Sequence, residues 1–191
     1  MNKIIFMVTC IILVVTSSYS REYISDDEVK HMQDNYGQRA AQRLKNWNSV
    51  MKNAAQLDEQ LKVRNINSYF NQYRYRKDKY NWKEIEYWAS FGEFIGKGTG
   101  DCEDYALAKY YSLRKLGVPA HKLRLISGKF YGFGHLLLAY YKDSKDPYVL
   151  DNNSRYLGKL SKTYRFKAET HFNENEYGLI NPDIDKNRPK R

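Results

Sequence analysis

Three residues with complementary chemistry occur in the chain order of a thiol-dependent catalytic triad: Cys102, His135 and Asp151. Cys102 follows a glycine-rich turn and begins a predicted helix, where the positive end of the helix dipole favours a thiolate. A thiol nucleophile needs a base, and the base needs a group that orients it. His135 begins the most apolar predicted strand and Asp151 ends the next one, so antiparallel pairing would bring them together. The sequence therefore predicts a nucleophile, a general base and an orienting acid.

The other three histidines are less suited to this chemistry. His31 lies in a predicted helix far from the apolar elements, His121 lies in an exposed turn, and His171 lies in a polar tail. His135 differs because it comes directly after a flexible glycine-containing turn and opens a run of apolar residues. An imidazole at that point can reach the N-terminus of a helix packed on the same sheet.

Each residue of the triad also has a structural interpretation without catalysis. A lone cysteine is often a small buried apolar residue. His135 can be a hydrogen-bonded core histidine, and Asp151 can stabilise the turn that follows it. The residues alone leave these alternatives open. All three non-catalytic interpretations would, however, have to hold together, and the triad order would then be a coincidence.

The N-terminus resembles a secretory signal peptide over residues 1–20, with Lys3, an apolar run over 4–15 and a small-x-small end at Ser18-Tyr19-Ser20. The second cysteine of the chain, Cys10, lies inside it. Cys102 is then the one cysteine expected in the mature protein, where it cannot form an internal disulfide. No later stretch approaches the roughly 20 apolar residues of a membrane span. We expect an exported protein that does not span the membrane after signal removal.

Length and charge limit the remaining possibilities. Residues 21–191 suffice for one domain, which we divide into a helical part over 21–95 and a catalytic core over 96–170. The formal net charge is +10, spread along the chain. No nucleic-acid-binding motif is present, so the charge indicates an acidic partner, anionic cell-surface material or a solvated surface without a specific partner.

Helices are predicted for the first part of the domain. Ser25 and Glu28 form a capping box before a helix over about 26–35. Apolar residues at spacings of three and four predict further helices over 38–55 and 58–69. A polar stretch over 71–81 has no clear periodicity, and we interpret it as a loop. A short helix and a turn are expected within 82–95.

The second part combines one helix with several strands. The helix is predicted over 102–116, and Gly117 and Pro119 provide its stop signal. Strand-like runs follow, separated by turn residues. They cover 122–128, 135–141 and 148–151, with further pairing expected within 156–166. This order predicts an α+β fold in which a central helix carrying the nucleophile packs on an antiparallel sheet.

Several segments closely resemble the bacterial transglutaminase-like cysteine proteinases of the LapG type. They are Gly100-Asp101-Cys102-Glu103-Asp104-Tyr105-Ala106-Leu107-Ala108-Lys109-Tyr110-Tyr111, Gly117-Val118-Pro119, Lys122-Leu123-Arg124-Leu125, His135-Leu136-Leu137-Leu138-Ala139-Tyr140-Tyr141 and Val149-Leu150-Asp151-Asn152. The resemblance implies a papain/transglutaminase-like core with Cys102 as nucleophile, His135 as general base and acid, and Asp151 as orienting residue. The family pattern before the glycine turn is replaced here by Trp88-Ala89-Ser90-Phe91. This departure puts the shape of the substrate groove in question.

Acidic residues surround the predicted nucleophile. Asp101, Glu103 and Asp104 flank Cys102, and their negative charge opposes ionisation of the thiol. A bound cation would relieve this, and a ligand set of oxygens favours calcium over zinc. The acids can instead complement the helix dipole. The resemblance implies calcium dependence with Asp101 and Glu103 as ligands, and Asp104 is a weaker candidate.

The resemblance also implies a biological role. It is that of a periplasmic endopeptidase that cuts the N-terminal region of a large RTX-type surface adhesin at a paired-alanine site and so promotes biofilm dispersal. It implies an inner-membrane cyclic-di-GMP receptor of the LapD kind as regulator. Two other classes remain open: a transglutaminase or cell-wall amidase on the same fold, and a non-catalytic secreted binding module.

Overall fold

A computed structural model of the chain describes residues 22–143, 145–154, 156–163 and 165–180. The predicted signal peptide, including Cys10, lies outside the described residues. Within them, no helix combines the length and the apolar character that crossing a membrane requires.

Three helices form the first part of the domain: α1 (Asp26–Tyr36), α2 (Gln38–Ala55) and α3 (Glu59–Phe70). The capping box before α1 is present, because Ser25 Oγ accepts from the Glu28 N–H and Glu28 accepts from the Ser25 N–H. Local capping and apolar spacing predicted these helices to within about one residue at each end.

The segment that we expected to be a loop over 71–81 contains regular structure. It includes strand β1 (Arg74–Tyr75) and the short helix α4 (Asp78–Asn81). Helix α5 (Phe91–Lys97) and strand β2 (Thr99–Gly100) follow. Strand β1 pairs in parallel with β2. The loop prediction was wrong in these places because a two-residue pairing between distant segments leaves no periodicity in the sequence.

Helix α6 (Cys102–Lys115) is the central helix. Gly117 ends it with a left-handed backbone at φ +85°, which glycine adopts without strain. The helix packs between α3 on one side and the sheet on the other. Its buried residues include Ala106, Ala108 and Leu113, so one helix connects both halves of the core.

The described residues form a six-stranded antiparallel sheet in the order β6-β5-β4-β3-β7-β8. Its strands are β3 (Leu123–Phe130), β4 (Phe133–Tyr140), β5 (Tyr148–Leu150), β6 (Gly158–Lys159), β7 (Phe166–Phe172) and β8 (Tyr177–Leu179). Single-turn 3-10 helices precede β3 and follow β6, at Ala120–Lys122 and Leu160–Lys162. The predicted α+β fold, with a central helix on an antiparallel sheet, is confirmed.

The further pairing expected within 156–166 is present, in the two residues of β6 and in Phe166, which begins β7 and pairs with Phe130. One expectation about the later strands needs correction. His171 does not lie in a polar tail, since it belongs to β7 and pairs with Ile126 of β3. Apolar side chains on both faces of the sheet stabilise the strands, with the larger cluster on the α6 side.

Candidate functional site

The glycine turn before α6 places Cys102 at the first position of the helix. Gly98 ends α5 with a left-handed backbone at φ +69°. A Cβ at Gly100 would collide with the side chains of Asp104 and Phe94, so this position requires glycine. Asp101 is the N-cap residue, and its backbone N–H donates to Asp104 Oδ2 over 3.2 Å.

The environment of the Cys102 sulfur opposes its ionisation. The thiol is partly buried, and its sulfur donates to Glu103 Oε2 over 3.1 Å. Burial raises the pKa of the Cys102 thiol, the charges of Glu103 and Asp101 raise it further, and a hydrogen bond from the Leu136 backbone opposes them. These effects oppose the stabilisation of the thiolate by the helix dipole that the sequence suggested.

His135 and Asp151 form a buried pair on adjacent strands. His135 Nε2 lies 3.0 Å from Asp151 Oδ1, and both side chains are 8% exposed. Strand β4 pairs with β5 so that Leu138 faces Leu150, which brings the residue after Leu150 next to the start of β4. Because Asp151 occupies Nε2, Nδ1 is the ring nitrogen left to interact with the thiol.

The acid of this pair is fixed by its neighbours. Asp151 Oδ1 accepts from the Asn153 N–H over 3.0 Å. Asn71 Nδ2 from the end of α3 donates to the backbone carbonyls of Asp151 and Ser154, over 2.8 and 2.6 Å. Burial opposes ionisation of Asp151, yet its hydrogen bond to His135 and the charge of His135 hold its pKa below the usual range.

Lys109 lies beneath the same turn. Its side chain is fully buried, and Nζ donates to the Leu150 carbonyl over 3.2 Å. Burial lowers the pKa of Lys109 to about 7, and the nearby charge of Asp151 opposes this shift. Sequence reasoning missed Lys109, although its position on the apolar face of α6, three residues after Ala106, was a usable signal.

Cys102 and His135 line one cleft of about 620 Å³, together with the acids before and after Cys102. Three exposed aromatic residues form much of its rim, namely Tyr75, Trp88 and Phe133. A larger cavity of about 680 Å³ lies around His121, Arg124 and Lys145, and no cysteine lines it. Of these two cavities, the cleft at Cys102 is therefore the one lined by the predicted nucleophile and the predicted base.

Four buried or partly buried carboxylates cluster beside Cys102. Ligand atoms of Asp101, Cys102 and Glu103 lie within 4.8 Å of one another, as do those of Asp78, Asp101 and Asp104. Burial and then the neighbouring Asp101 raise the pKa of Glu103 to about 8. Burial likewise raises the pKa of Asp104 to about 7, although hydrogen bonds from the Ala89 and Asp101 backbones oppose it.

This cluster fits a hard cation. Among the ion pairs of the described residues, none joins a lysine or arginine to any of the four acids. Asp78 Oδ1 and Asp101 Oδ1 are buried oxygens without a hydrogen-bond partner. The predicted ligands Asp101 and Glu103 thus have ligand oxygens close to each other. Asp78 was missed because folding brings it from a separate segment, with no local signal.

A central helix that begins at a cysteine and packs on an antiparallel sheet, whose histidine lines the same cleft, is the arrangement of the transglutaminase-like thiol enzymes. The family model of the bacterial transglutaminase-like cysteine proteinases (BTLCP) matches residues 29–182. The chain therefore belongs to this family, and its enzyme class is cysteine protease. Membership of a cysteine protease family argues against the alternatives left open by the sequence, which were a transglutaminase or cell-wall amidase and a non-catalytic secreted binding module.

Solved structures of LapG from Legionella pneumophila are similar to this chain. One shares 27% sequence identity with a TM-score of 0.73, covering 87% of this chain and 93% of that chain. A calcium-bound form of LapG gives 28% identity, a TM-score of 0.72, and coverage of 87% and 91%. An EGTA-treated form of LapG gives 27% sequence identity and a TM-score of 0.73, and the match covers 85% of this chain and 89% of that chain. A comparison with curated proteins found no match.

Proposed function

We propose that this chain is a calcium-dependent periplasmic cysteine endopeptidase that cleaves the N-terminal region of a large surface adhesin at a paired-alanine site. The contact that carries the proposal joins His135 Nε2 to Asp151 Oδ1 over 3.0 Å, beside the cleft where Cys102 begins α6. Family membership and the similarity to LapG support the protease class. The apolar run near the N-terminus supports export.

In the proposed reaction, His135 takes the proton of Cys102, and the sulfur attacks the scissile carbonyl carbon to form a tetrahedral intermediate. The backbone N–H of Cys102 is the proposed donor that stabilises the oxyanion. The same imidazole then protonates the leaving amine, and the C–N bond breaks to leave a thioester. Water, deprotonated by His135, hydrolyses the thioester and releases the thiol. Asp151 keeps the imidazole oriented throughout.

Calcium is proposed as the cation beside the nucleophile, with Asp101 and Glu103 as ligands. Carboxylate oxygens suit this ion, and the calcium-bound LapG structure supports the assignment. When bound, calcium supplies positive charge that offsets the acids and so favours the thiolate. Asp101 and Glu103 would hold that charge close to Cys102, because their ligand oxygens lie within 4.8 Å of Sγ and Coulomb attraction strengthens as the separation falls.

A cleavage assay tests the proposal. The substrate is an N-terminal adhesin fragment that contains a paired-alanine site, with a matched fragment in which both alanines are replaced by aspartate. We expect the wild-type protein to cut only the first fragment. Cys102→Ala should lower the rate about a thousandfold or more and leave the circular dichroism spectrum unchanged. Undiminished cleavage by Cys102→Ala would disprove the assigned nucleophile.

The partners can be tested in the same assay. We propose regulation by a cyclic-di-GMP receptor of the LapD kind in the inner membrane, which would sequester the protease when the dinucleotide is abundant. Adding the periplasmic part of such a receptor should then inhibit cleavage of the adhesin fragment. An unchanged rate at saturating receptor concentration would remove the regulatory part of the proposal and leave the protease intact.

A further inference from the structure

Asp78 is a buried carboxylate outside the motif that contains the nucleophile. It begins α4 and is 2% exposed. Its two oxygens differ: Oδ2 accepts from the Tyr87 N–H over 2.5 Å, whereas Oδ1 is buried without a hydrogen-bond partner. A buried carboxylate oxygen without a partner is costly, so this atom requires an explanation.

The unpartnered oxygen belongs to a compact group of three carboxylates. Ligand oxygens of Asp78, Asp101 and Asp104 lie within 4.8 Å of one another. Asp101 contributes a second unpartnered oxygen, Oδ1, whereas both oxygens of Asp104 already accept backbone hydrogen bonds. A separation of this size is about twice a calcium–oxygen bond of roughly 2.4 Å. One calcium ion could therefore contact an oxygen of each carboxylate, and Asp78 and Asp101 each have an oxygen without a hydrogen-bond partner.

We infer that Asp78 is a ligand of the calcium ion, and that calcium thereby fastens one wall of the substrate cleft to the nucleophile helix. The inference rests on the calcium part of the proposed function. Asp101 supplies the connection, because it belongs both to the Asp78 group and to the group that contains Cys102 and Glu103.

The wall concerned is the segment over residues 78–88. Asp78 connects the start of this segment to its middle and to its far end, since its backbone carbonyl accepts from the Trp82 N–H over 2.7 Å and its side chain accepts from the Tyr87 N–H. Residues of this segment line the cleft: Asp78, Lys79, Ile85, Glu86 and Trp88. Calcium at Asp78 would therefore order the substrate-binding wall as well as offset charge at the thiol.

Calcium binding by purified variants tests this inference. Each protein is stripped with EGTA and titrated with calcium chloride by calorimetry. Asp78→Asn keeps a carbonyl oxygen for the Tyr87 N–H but removes the charge. We expect it to weaken calcium binding by about tenfold or more, as loss of a charged ligand should. Glu84→Gln is the matched control, because Glu84 is an exposed carboxylate on the same segment, and it should bind calcium like the wild type.

A second measurement needs no variant. Hydrogen exchange of the wild-type protein should show that calcium slows exchange of amides over 78–88 as well as 100–105. If calcium protects only 100–105, or if Asp78→Asn binds as tightly as the wild type, the inference is wrong while the calcium site at Asp101 stands. If the wild type binds no more calcium than Asp101→Asn does, and neither binds measurably, the calcium part of the proposed function is wrong instead.

Discussion

The two sides of the cleft differ in how completely their polar groups are satisfied. On the sheet side, His135 and Asp151 form a buried hydrogen-bonded pair, and Asn71 and Asn153 fix the acid. On the helix side, Cys102 lies among carboxylates whose charges oppose its ionisation, and two of their oxygens have no partner. The polar groups of the sheet side are thus satisfied within the chain, whereas the proposed calcium ion would supply the positive charge and the oxygen partner that the helix side lacks.

The largest expected effect concerns the sheet side, where the His135–Asp151 pair is expected to be essential. Asp151→Asn should lower the rate of adhesin cleavage about a thousandfold or more, because the amide no longer selects the productive tautomer of His135. The measurement is the initial cleavage rate under calcium-saturated conditions. Asp143→Asn is the control, since Asp143 is exposed in the connection between β4 and β5. An Asp151→Asn rate within tenfold of wild type would contradict the role of the pair.

A smaller effect is expected when the helix side loses its cation. At pH 7, EGTA should slow alkylation of Cys102 by iodoacetamide about tenfold, which corresponds to a rise of one unit in the thiol pKa. Asp101→Asn should make the alkylation rate insensitive to calcium. The same rate in calcium and in EGTA for the wild-type protein would show that the thiol is activated without a cation.

The smallest effect concerns the lysine beneath the sheet side. Burial lowers the pKa of Lys109 from 10.5 to about 7, so between these pH values the unfolded chain binds more protons than the folded chain. The free energy of unfolding contributed by this group therefore rises with pH across that range, and its unfavourable contribution is fully present below pH 7.

Lys109→Met removes this titration. Thermal unfolding at pH 7, 8 and 9 should show the wild type gaining stability relative to Lys109→Met as the pH rises. Lys45→Met replaces an exposed lysine of α2 and should show no such trend. A difference between wild type and Lys109→Met that is constant with pH would mean that Lys109 keeps its ordinary pKa in the folded protein.

Features set by neighbouring residues could be predicted from the sequence. The capping box at Ser25 and the apolar spacing in α2 depend on residues within one or two helical turns, and both predictions were confirmed. The α+β class followed from the order of such elements. The proximity of His135 and Asp151 also followed, because a short connection between adjacent strands strongly favours antiparallel pairing.

Features that depend on distant segments were missed. The β1–β2 pairing joins Tyr75 to Gly100 through two residues on each strand, which is too short for a periodic signal. Asp78 reaches Asp101 only because α4 folds against the glycine turn. Strand β7 is a different case: Phe166, Ala168 and Phe172 lie at alternate positions, interrupted only by Thr170, and this period of two could have revealed the strand.

The β1–β2 pairing and the Tyr87–Asp78 hydrogen bond have a consequence for how the family can diversify. The β1–β2 pairing holds the chain before the cleft wall next to Gly100, and the hydrogen bond from Tyr87 to Asp78 holds the far end of the wall near its start. The residues between Asp78 and Tyr87 include the almost fully exposed Ile85. Insertions or deletions near Ile85 would therefore reshape the rim without displacing Cys102, because surface loops tolerate changes in length. Substrate preference could thus evolve, or be engineered, independently of the catalytic machinery.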